Sequence, residues 1–288
     1  MKVDFFIVGA PKAGTTSLYH YLNEHLEIEM SSQKEPDYFS DEALKRQGMY
    51  YGKNRIDNLE KYHGLFTNKD VKLRGEASVS YLFYDDVPQK IKEYNSKAKI
   101  IIMLRNPIDR AFSHYLMDYR LGLVSDSFDS IIKKKLKHKN ANLFFQQYIK
   151  LSEYSQQVSR YLEVFDKENI MFIDYEDFKN DVSAVVDKAY LFLGVNNDFQ
   201  PNLKKKHNTY AMPKNSIIRF IYSFVSFRKF LTNIVPKSIV KWIRNLLFKS
   251  DKKPTLSNDT RKFLASYFKD DVDYLSVLLN KNYSKWIK

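Results

Sequence analysis

The sequence predicts an α/β protein, a central parallel sheet covered by helices, and three observations predict it. Short apolar runs alternate with stretches of helical spacing along the first two thirds of the chain, the order in which a parallel sheet is wound. Those runs lack polar alternation, as strands buried on both faces do. The first of them ends in a turn marked by Gly9, Pro11 and Gly14 that opens directly into a helix.

Taken in order, residues 3–9 read as the first strand and 15–26 as the first helix, with Leu18, Tyr19 and Leu22 on one face. Residues 41–47 and 58–65 are short helices, 73–79 a second strand, and 88–94 a helix with Pro88 at its start. Lys99–Leu104 is β-branched and apolar, a buried parallel strand, and Pro107 opens a helix over 107–120. Helical spacing returns over 127–137, 142–150 and 153–165. A further strand over 170–173 leads into a helix over 175–193 that stops at Gly194. Beyond it, 196–213 is loop-like and basic, and 215–231 and 236–248 are helical. Segments 257–269 and 271–280 finish the helical pattern, with Trp286 as an apolar anchor. The expected organisation is one domain over 1–288: an α/β core over 1–195 and a basic helical portion over 196–288.

At 288 residues and 44% hydrophobic, the chain can bury one substantial core. It has no cysteine, which excludes a disulfide framework and thiolate metal sites. Its six histidines are scattered without ligand spacing, so no metal is expected. No apolar run approaches the roughly 18 residues of a membrane span. Met1-Lys2-Val3-Asp4 runs straight into the first strand, so the expectation is a cytoplasmic protein without a secretory leader.

Net charge is +13, and it is concentrated. Between Lys204 and Lys253 stand thirteen Lys or Arg residues against one acid, Asp251. Such a block meets anionic glycans or an anionic membrane surface, or is a solvated basic face. Phe220, Tyr222, Phe224, Phe227, Phe230 and Trp242 interleave with these cations, as on an interfacial helix. Peripheral membrane contact through 204–253 is therefore a candidate role, and no nucleic acid partner is expected.

The chemistry begins in the turn Gly9-Ala10-Pro11-Lys12-Ala13-Gly14-Thr15-Thr16-Ser17. A strand, a tight glycine loop and a helix N-terminus converge backbone N–H groups and the positive end of the helix dipole on one point, an anion site. Lys12 adds a charge; Thr15, Thr16 and Ser17 add hydroxyls. Gly9 and Gly14 have the spacing of a nucleoside triphosphate loop, but Thr15 occupies the place of its lysine and the lysine has moved to Lys12. That displacement favours a phosphate or sulfate ligand over ordinary ATP chemistry.

A second anion clamp follows the strand 99–104. Arg105 stands at its carboxyl end, where open α/β sheets bind ligands, and Ser113 lies two helical turns beyond Asn106. Asp109 complements the start of the helix, and Arg110 pairs with a neighbouring acid. Glu35, in Lys34-Glu35-Pro36, is placed in extended backbone by the proline that follows it and is the candidate general base. Gly75-Glu76-Ala77-Ser78-Val79-Ser80-Tyr81, which follows the second strand, is a candidate lining of the acceptor cleft. His63 and His114 take core or surface roles.

These residues, in this order, resemble the sulfotransferases that use 3′-phosphoadenosine 5′-phosphosulfate (PAPS). Pro11 to Leu18 resembles their 5′-phosphosulfate loop, and Arg105-Asn106-Pro107 through Ser113 their 3′-phosphate motif. Lys34-Glu35-Pro36 with Tyr38-Phe39 is similar to the carbohydrate branch that includes the heparan sulfate sulfotransferases. Gly75 to Ser78 with Tyr81, and Thr260-Arg261-Lys262-Phe263-Leu264 through Trp286, resemble bacterial members. The resemblance implies a P-loop-like fold with about five parallel strands and metal-free sulfuryl transfer from PAPS, leaving PAP. It implies that Lys12 stabilises the bridging oxygen of the leaving phosphate. Ala13, Gly14, Thr15, Thr16 and Ser17 would hold the 5′-phosphate, Arg105 and Ser113 the 3′-phosphate. Glu35 would deprotonate a hydroxyl or amine of a saccharide, anionic or lipid-linked. The family's basic loop over the donor has its nearest counterpart in Lys249 to Pro254, which makes Lys252 and Lys253 donor-binding candidates. Asp37 departs from the histidine common at that position in the carbohydrate branch. A phenol, lipid or other small alcohol as acceptor, a nucleotide kinase, and a non-catalytic polyanion-binding module are the competing functions.

Overall fold

The computed structural model describes residues 1–48, 55–68, 70–203 and 254–288, together with 212–214, 218, 220 and 247–249. A five-stranded parallel sheet forms the centre, in the order β2-β3-β1-β4-β5. Its strands are β1 (Phe5–Gly9), β2 (Ile28–Met30), β3 (Leu73–Ala77), β4 (Lys99–Leu104) and β5 (Ile170–Asp174). Every residue of β1 is buried, so both faces of the sheet are covered. Gly75 of β3 pairs with Phe5 of β1, and a Cβ there would lie 2.1 Å from the Phe5 ring. Any side chain there would displace the aromatic core beneath it.

Helix α1 (Thr15–Asn23) buries Leu18, Tyr19 and Leu22 against β1, β2 and β3. It ends three residues before the sequence expectation, because the chain must turn to enter β2. The short helices α2 (Asp41–Gln47) and α3 (Leu59–His63) precede β3, and α4 (Val87–Tyr94) precedes β4. Helix α5 (Pro107–Arg120) follows β4, capped by Asn106, whose Oδ1 accepts from the N–H groups of Ile108 and Asp109. Then come α6 (Phe128–Ile132), α7 (Ala141–Tyr148) and α8 (Tyr154–Val164).

The single helix expected over 175–193 is two, α9 (Tyr175–Asn180) and α10 (Val182–Leu193). Asp181 breaks them, its Oδ1 capping the N–H of Ala184 at 2.9 Å. The two segments expected over 257–280 are one helix, α11 (Asn258–Leu278). The Asp270-Asp271 pair does not interrupt it: Asp271 turns inward and accepts from the N–H groups of Tyr154 and Ser155. It thereby caps α8 and ties the end of the chain to the core. Trp286 is buried against Tyr154 and Tyr283, and its carbonyl accepts from Asn106 Nδ2 at 3.0 Å. A two-residue antiparallel pair joins β6 (Met212–Pro213) to β7 (Phe248–Lys249). The helices expected over 215–231 and 236–248 lie almost wholly outside the described residues. No helix among the described residues is long and apolar enough to cross a membrane.

Candidate active site

The chain leaves β1 toward β2 and β3 and returns to β4 on the other side of β1. The carboxyl ends of β1 and β4 therefore flank the switch point at which open parallel sheets receive ligands. The loop after β1 is tied to β4 by the N–H of Ala10, which donates to the carbonyl of Met103. Gly14 closes the loop at φ +94°, with the Phe178 ring 3.1 Å from where a Cβ would stand. Left-handed backbone and lack of room both call for glycine there. Thr15, Thr16 and Ser17 form the first turn of α1, Thr15 buried and the other two half-buried. Ala13 is fully buried, so it offers backbone only. Among the described residues, the N–H groups of Lys12, Gly14, Thr15 and Thr16 have no protein acceptor. They converge with the positive end of the α1 dipole.

Lys12 adopts left-handed backbone, φ +69°. For a non-glycine residue this costs on the order of 1–3 kcal/mol, and such strain concentrates at functional sites. Its Nζ lies 3.3 Å from Met117 Sδ on α5. Burial pushes the ammonium down to about 8, with Arg120 and Arg105 acting in the same direction and Asp118 and Glu35 opposing them.

Arg105 lies beside this loop. Its Nη1 donates to the carbonyl of Lys12 at 2.9 Å, and its guanidinium stacks on Tyr175, 4.4 Å from the ring centroid. The Arg105 carbonyl accepts from Tyr154 OH, so the C-terminal helix, through α8, supports this residue. Arg105 Nε is buried with no hydrogen-bond partner among the described residues. A buried donor without an acceptor costs about 1–3 kcal/mol, which an anion would recover. The Lys12 loop and Arg105, which the sequence singled out separately, thus lie side by side. Ser113 is half-buried on α5, two turns beyond Asn106.

Glu35 departs from the extended backbone expected before Pro36: its φ is +58°. Its N–H donates to the carbonyl of Ala77, which anchors the loop to the end of β3 against the local preference. Its carboxylate accepts from Lys34 Nζ at 2.8 Å and keeps 24% of its side-chain surface exposed. Asp37, likewise left-handed at φ +55°, is held by Ser78 Oγ on its N–H and by Ser80 Oγ on Oδ1.

Of the segment Gly75 to Tyr81, Gly75 to Ser78 and Tyr81 are buried and cannot line a cleft, Glu76 and Ser78 lying beneath the Glu35 loop, whereas Val79 and Ser80 are half-buried. Glu76 accepts from Tyr62 OH at 2.9 Å and Ser78 Oγ at 2.8 Å. Burial pushes its carboxyl up to about 7 in spite of those hydrogen bonds, and Asp37 adds to the rise. A pKa raised on folding stabilises fully below the unfolded value, near 4.5, and the contribution is lost as pH climbs toward 7. The loss amounts to about 3 kcal/mol. Glu76→Gln, which keeps the neutral shape, is expected to make stability to urea flatter than wild type between about pH 5 and 8. Equal slopes for the two proteins would refute this assignment.

His114 is a core residue, and burial with the nearby Arg110 and Lys12 charges holds it well below its usual range. Arg110 is fully buried, where the sequence suggested a simple ion pair. It donates to Ser152 Oγ, to His114 Nδ1 and to the carbonyls of Gln147 and Tyr148. Asp109 accepts from Arg261. Lys252 and Lys253 lie outside the described residues, as does most of the block 204–253. Among the described residues no group of His, Cys, Asp and Glu could hold a metal ion. Sequence reasoning missed Tyr175 under Arg105, and it missed the Asp118 and Arg120 charges around Lys12. For Asp118 a signal existed: it continues the four-residue spacing of Arg110 and His114 on α5.

The family model described as "Sulfotransferase domain" matches residues 2–274. The human bifunctional heparan sulfate N-deacetylase/N-sulfotransferase 3 is 26% identical over 281 residues, 96% of this chain and 30% of that protein. The chain thus spans about three tenths of the length of the heparan sulfate enzymes it matches. A crystal structure of a sulfotransferase from Alicyclobacillus acidocaldarius is 29% identical, with each chain fully covered and a TM-score of 0.72. Mouse sulfotransferase SULT7A1 complexed with PAP shares the fold at 18% identity and a TM-score of 0.52. That match covers all of this chain and 88% of the mouse one.

Proposed function

The chain belongs to the PAPS-dependent sulfotransferase domain family, and from that premise we propose that it transfers a sulfuryl group to a hydroxyl or amine of a carbohydrate. The observation that carries this reading is the junction of the Lys12 loop with Arg105, Nη1 on the Lys12 carbonyl at 2.9 Å. It sets two cationic groups side by side, as a nucleotide with phosphates at both ends of its ribose requires. The unpaired N–H groups of the loop and the orphaned Arg105 Nε fit such a ligand.

When bound, PAPS supplies an activated sulfuryl group whose leaving group is a phosphate. The chain's own residues do the rest. The N–H groups of Gly14, Thr15 and Thr16, with the hydroxyls of Thr15, Thr16 and Ser17, bind the 5′-phosphate, and Ala13, its N–H turned to the Ala10 carbonyl, keeps the loop closed around it. Lys12 neutralises charge at the bridging oxygen. Arg105 and Ser113 bind the 3′-phosphate, which separates this donor from ATP. Glu35 takes the acceptor's proton on its carboxylate as the nucleophile attacks in line. Positioning and charge stabilisation provide the catalysis, without a metal.

The carbohydrate assignment rests on Lys34-Glu35-Pro36 and on the heparan sulfate relatives. The basic block 204–253, Lys252 and Lys253 included, belongs to the proposal as a guide for an anionic or lipid-linked saccharide at a membrane surface. A cysteine-free chain suits the cytoplasm, and α11 packed on α5 and α8 supports a single domain over 1–288.

Two measurements test the function. PAP at about 100 times its dissociation constant is expected to raise the melting temperature by about 5 °C without Mg²⁺. Radiolabelled PAPS offered with a panel of glycans and small alcohols is expected to label a glycan. Labelling only of a phenol or lipid would transfer the enzyme to another acceptor class. A shift that appears only with ATP and Mg²⁺ would favour the kinase alternative.

A further inference from the structure

We propose that the C-terminal segment Lys281–Trp286 is a clasp that positions Arg105 for the 3′-phosphate, with Tyr283 as its central positioning residue. This rests on the sulfotransferase reading above and deepens it. The segment reaches the surroundings of Arg105 at two places. At the first, Asn106 Nδ2 donates to the carbonyl of Trp286 at 3.0 Å while Asn106 Oδ1 caps α5. Both ends of that amide are engaged, so the residue next to Arg105 is fixed from the end of the chain. At the second, Tyr283 OH donates to Asp174 Oδ1 at 2.9 Å, and Lys281 Nζ pairs with Asp174 Oδ2.

Asp174 is the last residue of β5 and stands opposite Leu104 in the parallel register. The residues that follow this pair are Arg105 and Tyr175, whose side chains stack at 4.4 Å. Asp174 also occupies the N-cap position of α9, yet its side chain accepts no hydrogen bond from that helix. A capping aspartate turns to the N–H groups of its own helix. Here both oxygens turn to the C-terminal segment, so the start of α9, and Tyr175 with it, is set by Tyr283 and Lys281. Asp174, Tyr283 and Trp286 are buried, which keeps water from competing for these contacts. The rings of Tyr283 and Trp286 pack with centroids 4.1 Å apart, and Trp286 lies against Tyr154, whose OH holds the Arg105 carbonyl. A guanidinium recognises phosphate through a planar fork, so the plane must be fixed before the ligand arrives. Tyr175 fixes the plane of Arg105, and the buried Nε, without a partner among the described residues, is left for an anion.

The test compares PAP with adenosine 5′-phosphate, which lacks the 3′-phosphate, by calorimetric titration. Wild type is expected to bind PAP at least about tenfold more tightly, the weight of one charge-assisted contact. Tyr283→Phe keeps the ring against Trp286 and removes the hydroxyl. It is expected to cut that preference by about three- to tenfold and to leave adenosine 5′-phosphate within about twofold of wild type. Tyr175→Leu is expected to lower the preference as well. The double variant should lose no more than the larger single loss, because Tyr283 acts through Tyr175. An unchanged preference in Tyr283→Phe, equal weakening of both nucleotides, or additive losses in the double variant would overturn the proposal. A wild type that does not prefer PAP would defeat the sulfotransferase reading, and the clasp with it. If Tyr283→Phe does not fold, amide exchange in the wild type decides. At equal saturation, PAP is expected to slow exchange of the Trp286 N–H, which donates to the Tyr283 carbonyl, more than adenosine 5′-phosphate does. Equal slowing by the two nucleotides would refute the clasp.

Discussion

Glu35→Gln is expected to lower kcat by about 10²–10⁴ while leaving KM for PAPS nearly unchanged. Gln fills the same space and can still accept from Lys34, so the loop should persist. It has no basicity at neutral pH, so the acceptor's proton has nowhere to go. The split between kcat and KM is diagnostic, since a residue that only shaped the donor pocket would raise KM. The neighbouring acids are poor substitutes. Asp37 is buried and bonded to Ser80, and Glu76 lies fully buried under the loop with a carboxyl that resists ionisation. Retention of kcat within about threefold of wild type would place the base elsewhere. The left-handed backbone at Glu35, held by the Ala77 carbonyl, also implies that the carboxylate's position is set by β3 rather than by its own loop.

The parts of the fold legible in the sequence are those where local pattern and tertiary environment agree. Strands β1, β4 and β5 carry apolar runs because helices cover both faces, and α5 announces itself through Asn106 and Pro107. Strand β2 was not legible: Ile28-Glu29-Met30 is an edge strand too short to show a period. The break at Asp181 and the continuity through Asp270-Asp271 share one cause. A buried or capping aspartate looks in sequence like any polar residue, and its role depends on which N–H groups the fold brings to it. The candidate site divides in the same way. The Lys12 loop and Arg105 were legible because anion binding uses local backbone geometry, a strand followed by a tight turn and a helix start. Tyr175 was not, since stacking beneath Arg105 requires β4 and β5 to lie side by side. Nor was the conformation of Glu35: the local bias of a pre-proline residue is small, and one hydrogen bond to β3 overrides it.

Lys12→Ala is expected to abolish the PAP-induced melting shift and to lower kcat by about 10²–10³, the cost of removing one preorganised donor at a developing charge. Two roles meet in this side chain, and they separate by pH. The ammonium, pushed down to about 8 by burial and by the Arg120 and Arg105 charges, is the protonated form only below that value. Wild-type kcat/KM should therefore fall as pH rises through about 8, whereas the residual activity of Lys12→Ala should lack that limb. Bound phosphates oppose the shift, since negative charge favours the ammonium, so the limb should lie higher in kcat than in kcat/KM. Arg105→Ala provides the contrast. It removes a donor to the nucleotide and leaves the Lys12 ammonium in place, so it should weaken PAP binding while retaining the limb. A melting shift that survives Lys12→Ala would mean that the nucleotide binds outside the β1–β4 crevice. The roles assigned to Arg105 and Glu35 would then fall with it, because both are defined by a donor seated on the Lys12 loop.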